Sequence, residues 1–166
     1  MAKKSNAATT AATKVLTAAG VEFTLHPYEH TDDATDLGDE AARATGTDPQ
    51  RIFKTLLVDV TGGATALVVA VVPVANQLDL KALAAHLGAK KASMADPKAA
   101  ERATGMVVGA ISPLGQKSNH HTVVDASASG FDTILVSAGR RGLQLEVTPA
   151  DLVGALTDGE FADIAR

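Results

Sequence analysis

The chain has 166 residues, 46% of them hydrophobic and 20% charged, with a net charge of −4 and no cysteine. That suits one apolar core rather than two, and the missing cysteines exclude disulfides, thiolate metal sites and a cysteine nucleophile together. No run of 18 uncharged apolar residues occurs, and the lysines of Met1–Asn6 have no apolar core behind them, so the sequence predicts a cytoplasmic protein with neither membrane span nor signal peptide.

Ser5–Ala19 is rich in Ala and Thr, with Val15 and Leu16 as its large apolar residues and Gly20 in the place of a helix C-cap, and it predicts a modestly amphipathic helix. Residues 1–9 are expected to be flexible. Val21–Leu25 alternates with period two and predicts a strand running through His26-Pro27-Tyr28-Glu29-His30 into an acidic loop. Asp36–Thr45 reads as a short helix closed by Gly46. A turn at Asp48-Pro49 leads into a strand over Arg51–Val60, a hairpin turn at Thr61-Gly62-Gly63-Ala64 and a paired strand over Thr65–Pro73. Asp79–Leu87 and Asp96–Thr104 read as helices, the second with Asp96 as N-cap and Pro97 at its first position. The first half of Gly105–Lys117 is nearly all apolar and predicts a strand buried on both faces, in which Gly109 marks a close backbone approach. Ser112-Pro113-Leu114-Gly115 then ends it in a shaped loop. Thr122–Asp125 is extended, Asp132–Ser137 and Leu143–Val147 are strands around a turn over Ala138–Gly142, and a last helix opens at Thr148-Pro149. Hairpins mixed with helices indicate an α+β (mixed α/β) single domain over residues 1–166, with a central mixed, largely antiparallel sheet or barrel flanked by helices.

Lys54 is the sharpest oddity, a lysine on a strand otherwise apolar except for Thr55. It either snorkels from the sheet end or is held partly desolvated in a pocket, where it could bind phosphate, hydrogen-bond a carbonyl or serve in acid–base work. The loop after Ile111 offers backbone N–H groups to an oxygen-rich ligand, with Gln116 and Lys117 at its mouth. His120 and His121 are adjacent, so an extended backbone points them apart, and no metal site is expected. Neither Ser112 nor Ser137 sits in a Gly-x-Ser-x-Gly elbow to pair with a histidine and Asp125. Eight acids between Glu22 and Asp48 face Arg43 alone, whereas Lys81–Lys117 is basic, with Lys90, Lys91, Lys98, Arg102 and Lys117 among its cations. One flank could meet a phosphate backbone while the other repels it, although the net charge argues against indiscriminate binding of polyanions such as DNA. Arg140 and Arg141 lie between glycines in a turn suited to phosphate or carboxylate.

Four motifs in order, His26-Pro27-Tyr28-Glu29-His30, Phe53-Lys54-Thr55-Leu56, Gly109 to Lys117 and Ser137 to Leu143, resemble the YbaK/EbsC family of freestanding aminoacyl-tRNA deacylases, which are similar to the editing domain of bacterial prolyl-tRNA synthetases. The likeness runs from about Thr10 to Arg166. It implies hydrolysis of Cys-tRNA(Pro), with Cys-tRNA(Cys) as a second substrate, and Lys54 as the residue closest to catalysis. It further implies a pocket for the aminoacyl ester and terminal adenosine shaped by Gly109, Ala110, Ile111, Ser112 and Pro113, with Tyr28, Phe53, Ser137 and Gly139 as further pocket positions. Lys90, Lys91, Lys98, Arg102, Lys117, Arg140 and Arg141 are the expected contacts to the tRNA backbone. No cofactor is implied; the partners are the aminoacylated acceptor end of tRNA and prolyl-tRNA synthetase. No protein nucleophile is implied either, because the substrate's own thiol attacks its ester. Two departures bear on specificity: Ala110 stands where many relatives have a second glycine, and Gln144 where an acid is common. An Ala-tRNA(Pro) deacylase and a non-catalytic tRNA-binding module are the alternatives, the latter disfavoured by an aromatic content of 3%, which leaves little for base stacking.

Overall fold

The computed structural model describes residues 9–31 and 36–166. The start of the first predicted helix and all of the flexible-terminus expectation except Thr9 lie outside the described residues, as does the middle of the acidic loop.

The frame is an antiparallel hairpin rich in valine. β2 (Phe53–Thr61) and β3 (Leu67–Pro73) pair antiparallel from Phe53↔Pro73 to Asp59↔Leu67, and six of the seven residues of β3 are buried, which makes it a central strand. β5 (Thr122–Asp125) runs parallel to β3, β8 (Gly159–Ala162) runs parallel to β5, and β4 (Lys91–Met94) pairs antiparallel with the far end of β2, giving the order β4-β2-β3-β5-β8. A second, antiparallel sheet has the order β1-β7-β6, built from β1 (Thr24–Pro27), β7 (Leu143–Val147) and β6 (Ile134–Arg140). The two are joined at a parallel bridge between Ile52 and Leu135, so they remain open sheets rather than closing into a barrel.

Side-chain alternation sends Phe53, Leu57, Val69 and Val71 to one face of the larger sheet, where they meet Ile134, Val136, Leu143 and Leu145 of the smaller one together with Leu16 and Leu152. The opposite face carries Val58, Val60, Val68 and Val72 against Leu83 and Ile164. Among the described residues, five α-helices pack around this frame: α1 (Ala11–Ala18), α2 (Leu37–Thr45), α3 (Leu80–His86), α4 (Pro97–Thr104) and α5 (Pro149–Ala155). Each opens on a side-chain cap, Thr10, Asp36, Asp79, Asp96 and Thr148 respectively, which accepts a bond from an amide of the first turn. Such a cap contributes about 0.5–2 kcal/mol. Among the described residues no helix is long and apolar enough to cross a membrane.

Several expectations are corrected. The first strand starts later than Val21, because the Val21 amide is used to close α1 by donating to Leu16 O at 3.0 Å. The strand expected over Gly105–Ile111 does not form. Gly105 caps α4 at φ +76°, and the amides that follow are satisfied by that helix's side chains: Met106 N–H donates to Thr104 Oγ1 at 3.1 Å and Val108 N–H to Glu101 Oε2 at 2.9 Å. Val107 and Val108 are 45% and 39% exposed, so the apolar run is a loop rather than a buried strand. The turn expected over Ala138–Gly142 is shorter, since β6 continues to Arg140 through an irregularity between Ser137 and Arg140. β4, β8 and a 3₁₀ turn over Ala126–Gly130 were not signalled; β4 has only Ala92 buried and thus no alternation to read.

Candidate active site

A cavity of about 590 Å³ opens where β4 stops covering β2. Five consecutive residues of β2, Phe53 to Leu57, line it; since successive side chains leave a strand on opposite faces, the cavity must meet this strand edge-on. The start of α2 supplies Leu37 and Gly38, the β4–α4 junction supplies Met94, Ala95 and Pro97, the loop supplies Val108, Gly109 and Ile111, and the smaller sheet closes the back with Ser137 and Gln144.

The loop wall is held tightly from three sides. Gly109 has φ +90°, and a Cβ there would lie 2.0 Å from Leu37 Cδ1, so only glycine lets the loop press against α2. Gly115, at φ +75°, passes so close to the start of α1 that a Cβ would sit 2.5 Å from the Ala11 carbonyl carbon. Ser137 Oγ donates to Ala110 O at 2.9 Å and accepts from Gly139 N–H at 3.1 Å. Behind the wall, Gln116 Nε2 donates to Ser112 O at 2.9 Å, and its Oε1 meets His120 Nδ1 at 2.8 Å. Burial pushes the His120 imidazole below its ordinary pKa, which favours the neutral ring that this bond requires only as a donor.

The polar groups inside are few. Lys54 is the one basic residue of the lining, is half-buried, and makes no hydrogen bond or ion pair with the described residues. Thr55 Oγ1 and Gln144 Oε1 are buried without a partner. A buried hydroxyl or amide left unpaired costs about 1–3 kcal/mol, and these two line the cavity, where a ligand group can satisfy them. Ser137, whose hydroxyl already donates to Ala110 O, is not available as a nucleophile. Ser112 is fully buried outside the lining and accepts from Leu114 N–H at 3.2 Å, while Asp125 accepts from the amides of Ile164, Ala165 and Ser127. These three residues do not build a hydrolytic triad.

Of the residues singled out by sequence, Phe53, Lys54, Gly109, Ile111 and Ser137 meet at the cavity, whereas Tyr28, Ala110, Ser112, Pro113 and Gly139 do not line it. Tyr28 packs against Ala41, Ala42, Ile52 and Leu135, and Pro113 lines a smaller cavity on the far side of the loop, shared with His120. Lys98 and Arg102 are exposed on α4, and Lys117 joins that side because its amide donates to Thr104 O at 2.8 Å. Lys91 opens β4, Lys90 lies over the β2–β3 turn at Gly62, and Arg140 and Arg141 are at the tip of the β6–β7 hairpin, so the cations are spread over three regions. His120 and His121 diverge, His121 bonding Asp158 and Glu160 at 2.9 and 2.6 Å. Leu37, Thr55, Met94 and Pro97 were missed; Thr55 had a signal, since it was the other polar residue on the Lys54 strand.

An α+β chain whose cavity presents, among the described residues, one unpaired ammonium and two unpartnered polar groups between apolar walls is of the class that binds a small polar ligand. Residues 31–155 match the family described as the aminoacyl-tRNA editing domain, and the chain belongs to that family. It is 37% identical over 164 residues to the candidate Cys-tRNA(Pro)/Cys-tRNA(Cys) deacylase EbsC of Enterococcus faecalis, covering 99% of this chain and 98% of the relative. It is 30% identical over 139 residues to the multifunctional Ser/Thr-tRNA deacylase ProXp-y of Escherichia coli, covering 82% of this chain and 81% of that one. A solved structure of a candidate trans-editing enzyme for prolyl-tRNA synthetase shares the fold, with a TM-score of 0.79 at 21% identity over 94% of this chain and 95% of that one.

Proposed function

We propose that this aminoacyl-tRNA deacylase acts in trans on Cys-tRNA(Pro), with Cys-tRNA(Cys) as a second substrate, and that the substrate's own thiol is the nucleophile. The observation that carries this reading is Lys54, among the described residues the one cation of the cavity and without a partner, in a lining that offers no free serine and, in a chain without cysteine, no thiol. The near full-length likeness to EbsC supports it. Sulfur would attack the ester carbonyl, forming a C–S bond. The C–O bond to the ribose would then break, the proton lost by the thiol ending on that ribose oxygen, and the cyclic thiolactone would be hydrolysed by water to free cysteine. The protein's share is positioning and charge: Lys54 faces the oxygen on which negative charge develops, and the loop holds the ester against it. The aminoacylated acceptor end of tRNA is the partner, met in the cytoplasm, and prolyl-tRNA synthetase is the candidate source of tRNA selection.

The test is ester loss from Cys-tRNA, Ser-tRNA, Thr-tRNA and Ala-tRNA under identical conditions. Thiol attack requires Cys-tRNA to be cleaved far faster than Ser-tRNA, which differs by one atom but presents a hydroxyl of much lower nucleophilicity. The Ser/Thr-tRNA relative, together with the unpartnered Thr55 and Gln144 groups that a substrate hydroxyl could satisfy, motivates the second reading of an activated water. Comparable rates on Cys-tRNA and Ser-tRNA would select it. Fast loss of alanine would point to the Ala-tRNA(Pro) specificity, and binding without turnover to a tRNA-binding module.

A further inference from the structure

The open edge of β2 has a direction that the pleat determines. Val60 N–H donates to Ala66 O at 2.8 Å, and with the register Lys54↔Val72, Leu56↔Ala70 and Val58↔Val68 the even-numbered residues exchange their bonds with β3. Odd-numbered residues therefore turn N–H and C=O to the other edge. There β4 covers Val58 to Thr61, and Ala95 N–H reaches Leu57 O at 3.0 Å. On that edge, between that bond and the Ile52–Leu135 bridge, no strand among the described residues pairs with Thr55, which lines the cavity. Thr55 thus presents a backbone donor and a backbone acceptor side by side, beside its own buried and unpartnered hydroxyl.

Resting on the deacylase reading, we propose that Thr55 binds the aminoacyl group as a one-residue extension of the sheet. An antiparallel hydrogen-bonded pair is two residues that each offer N–H and C=O to the other. An aminoacyl ester carries that same pair of groups, an α-ammonium and a carbonyl oxygen on adjacent atoms. The α-ammonium donates to Thr55 O, and Thr55 N–H donates to the ester carbonyl oxygen, which becomes negative as the thiol sulfur adds. Lys54, next in the strand, reaches the same cavity. The substrate class is thereby an ester of an α-amino acid with its amino group free.

Two measurements test this. Transfer RNA charged with 3-mercaptopropionate keeps the ester and the thiol but lacks the α-amino group; its kcat/KM falls about tenfold to a hundredfold below that of Cys-tRNA, as expected for loss of a charge-assisted hydrogen bond. Equal values for the two esters overturn the proposal. In the ¹⁵N-threonine-labelled chain, a 3′-cysteinylamido adenosine that cannot be hydrolysed shifts the Thr55 amide resonance and slows its exchange. An unmoved Thr55 amide, while other threonine signals of the protein respond to the ligand, also overturns it. If no aminoacyl-tRNA is cleaved the deacylase reading fails, and the amide response to the adenosine still decides whether the edge pairs with an aminoacyl group.

Discussion

Gly109→Ala is the sharpest probe of the cavity wall. Alanine must hold φ near +90°, in a region that L-residues avoid at a cost of about 1–2 kcal/mol. Its Cβ would also fall 2.0 Å from Leu37 Cδ1 and 3.2 Å from Leu37 Cγ. The near atom is the end of a side chain, so Leu37 can turn away, at an overpacking cost of about 1–3 kcal/mol. A total of about 3 kcal/mol lowers the Tm of a chain of this size by about 6–12 °C. The steric and backbone shares separate in a double-mutant cycle with Leu37→Ala, which removes both clashing carbons. Thermal denaturation should show Gly109→Ala costing less in the Leu37→Ala background than in the wild type, with a residue of about 1–2 kcal/mol from φ. Deacylation should fall in the single variant and partly recover in the double one. Additive losses of stability would refute the contact, and an unchanged Tm for Gly109→Ala would refute the strained loop altogether.

Lys54→Ala should cost about 10²–10³ in kcat, the scale for losing one group that stabilises developing charge, while circular dichroism and Tm stay near wild type because Lys54 bonds nothing among the described residues. Changing Lys98, Arg102 and Lys117 to Gln should weaken tRNA binding about equally across tRNAs and flatten the plot of log affinity against log salt by about 0.7–0.9 per lost phosphate contact; an unchanged slope counts against that face. Glu40, Glu146 and Glu160 all titrate below the ordinary glutamate range. For Glu40 the causes are the Thr31 amide and then His30; for Glu146, the Thr133 hydroxyl, then His26 and Arg51 against the opposing effect of burial; for Glu160, burial raises the value, but bonds from His86 and His121 outweigh it. Carboxylates lowered in the folded state stabilise fully above the ordinary range and lose that contribution as pH falls through their lowered values, so Glu40→Gln should flatten the acid limb of a stability–pH curve, and an unaltered limb would refute the pairing.

Much of the fold was legible because local signals agreed with the tertiary outcome. Asp36 and Gly46 bracket α2 as their types require, Pro97 follows the Asp96 cap, and the β-branched run Val68–Val72 with its Gly62-Gly63 turn could hardly be anything but half of a hairpin. Lys54 was conspicuous for the same reason, being a charge where the pattern called for an apolar residue. What escaped were elements without periodicity. β4 has one buried residue, and β8 has none fully buried, so both exist through their neighbours' edges rather than through their own sequences. The cavity wall from α2 was equally hidden, since Leu37 looks like any helix residue until Gly109 is seen against it.

The segment that forms a loop instead of a strand also forms a wall of the cavity, and the coincidence has a physical reason. An apolar run such as Met106–Ile111 would gain most by pairing as a strand, and the open edge of β2 is the partner it lacks. Instead, Glu101 and Thr104 satisfy the run's first amides, glycines at 105, 109 and 115 bend it, and Ser137 fixes Ala110 O. Held there, the loop shields the edge from other chains, which is how an exposed strand is kept from aggregating, yet stops short of forming the ladder. Local pattern and final structure part company where the proposed pairing with the aminoacyl group needs an unsatisfied edge. Filling that edge would remove the cavity, because the same Thr55 groups cannot pair with a protein strand and with a ligand at once.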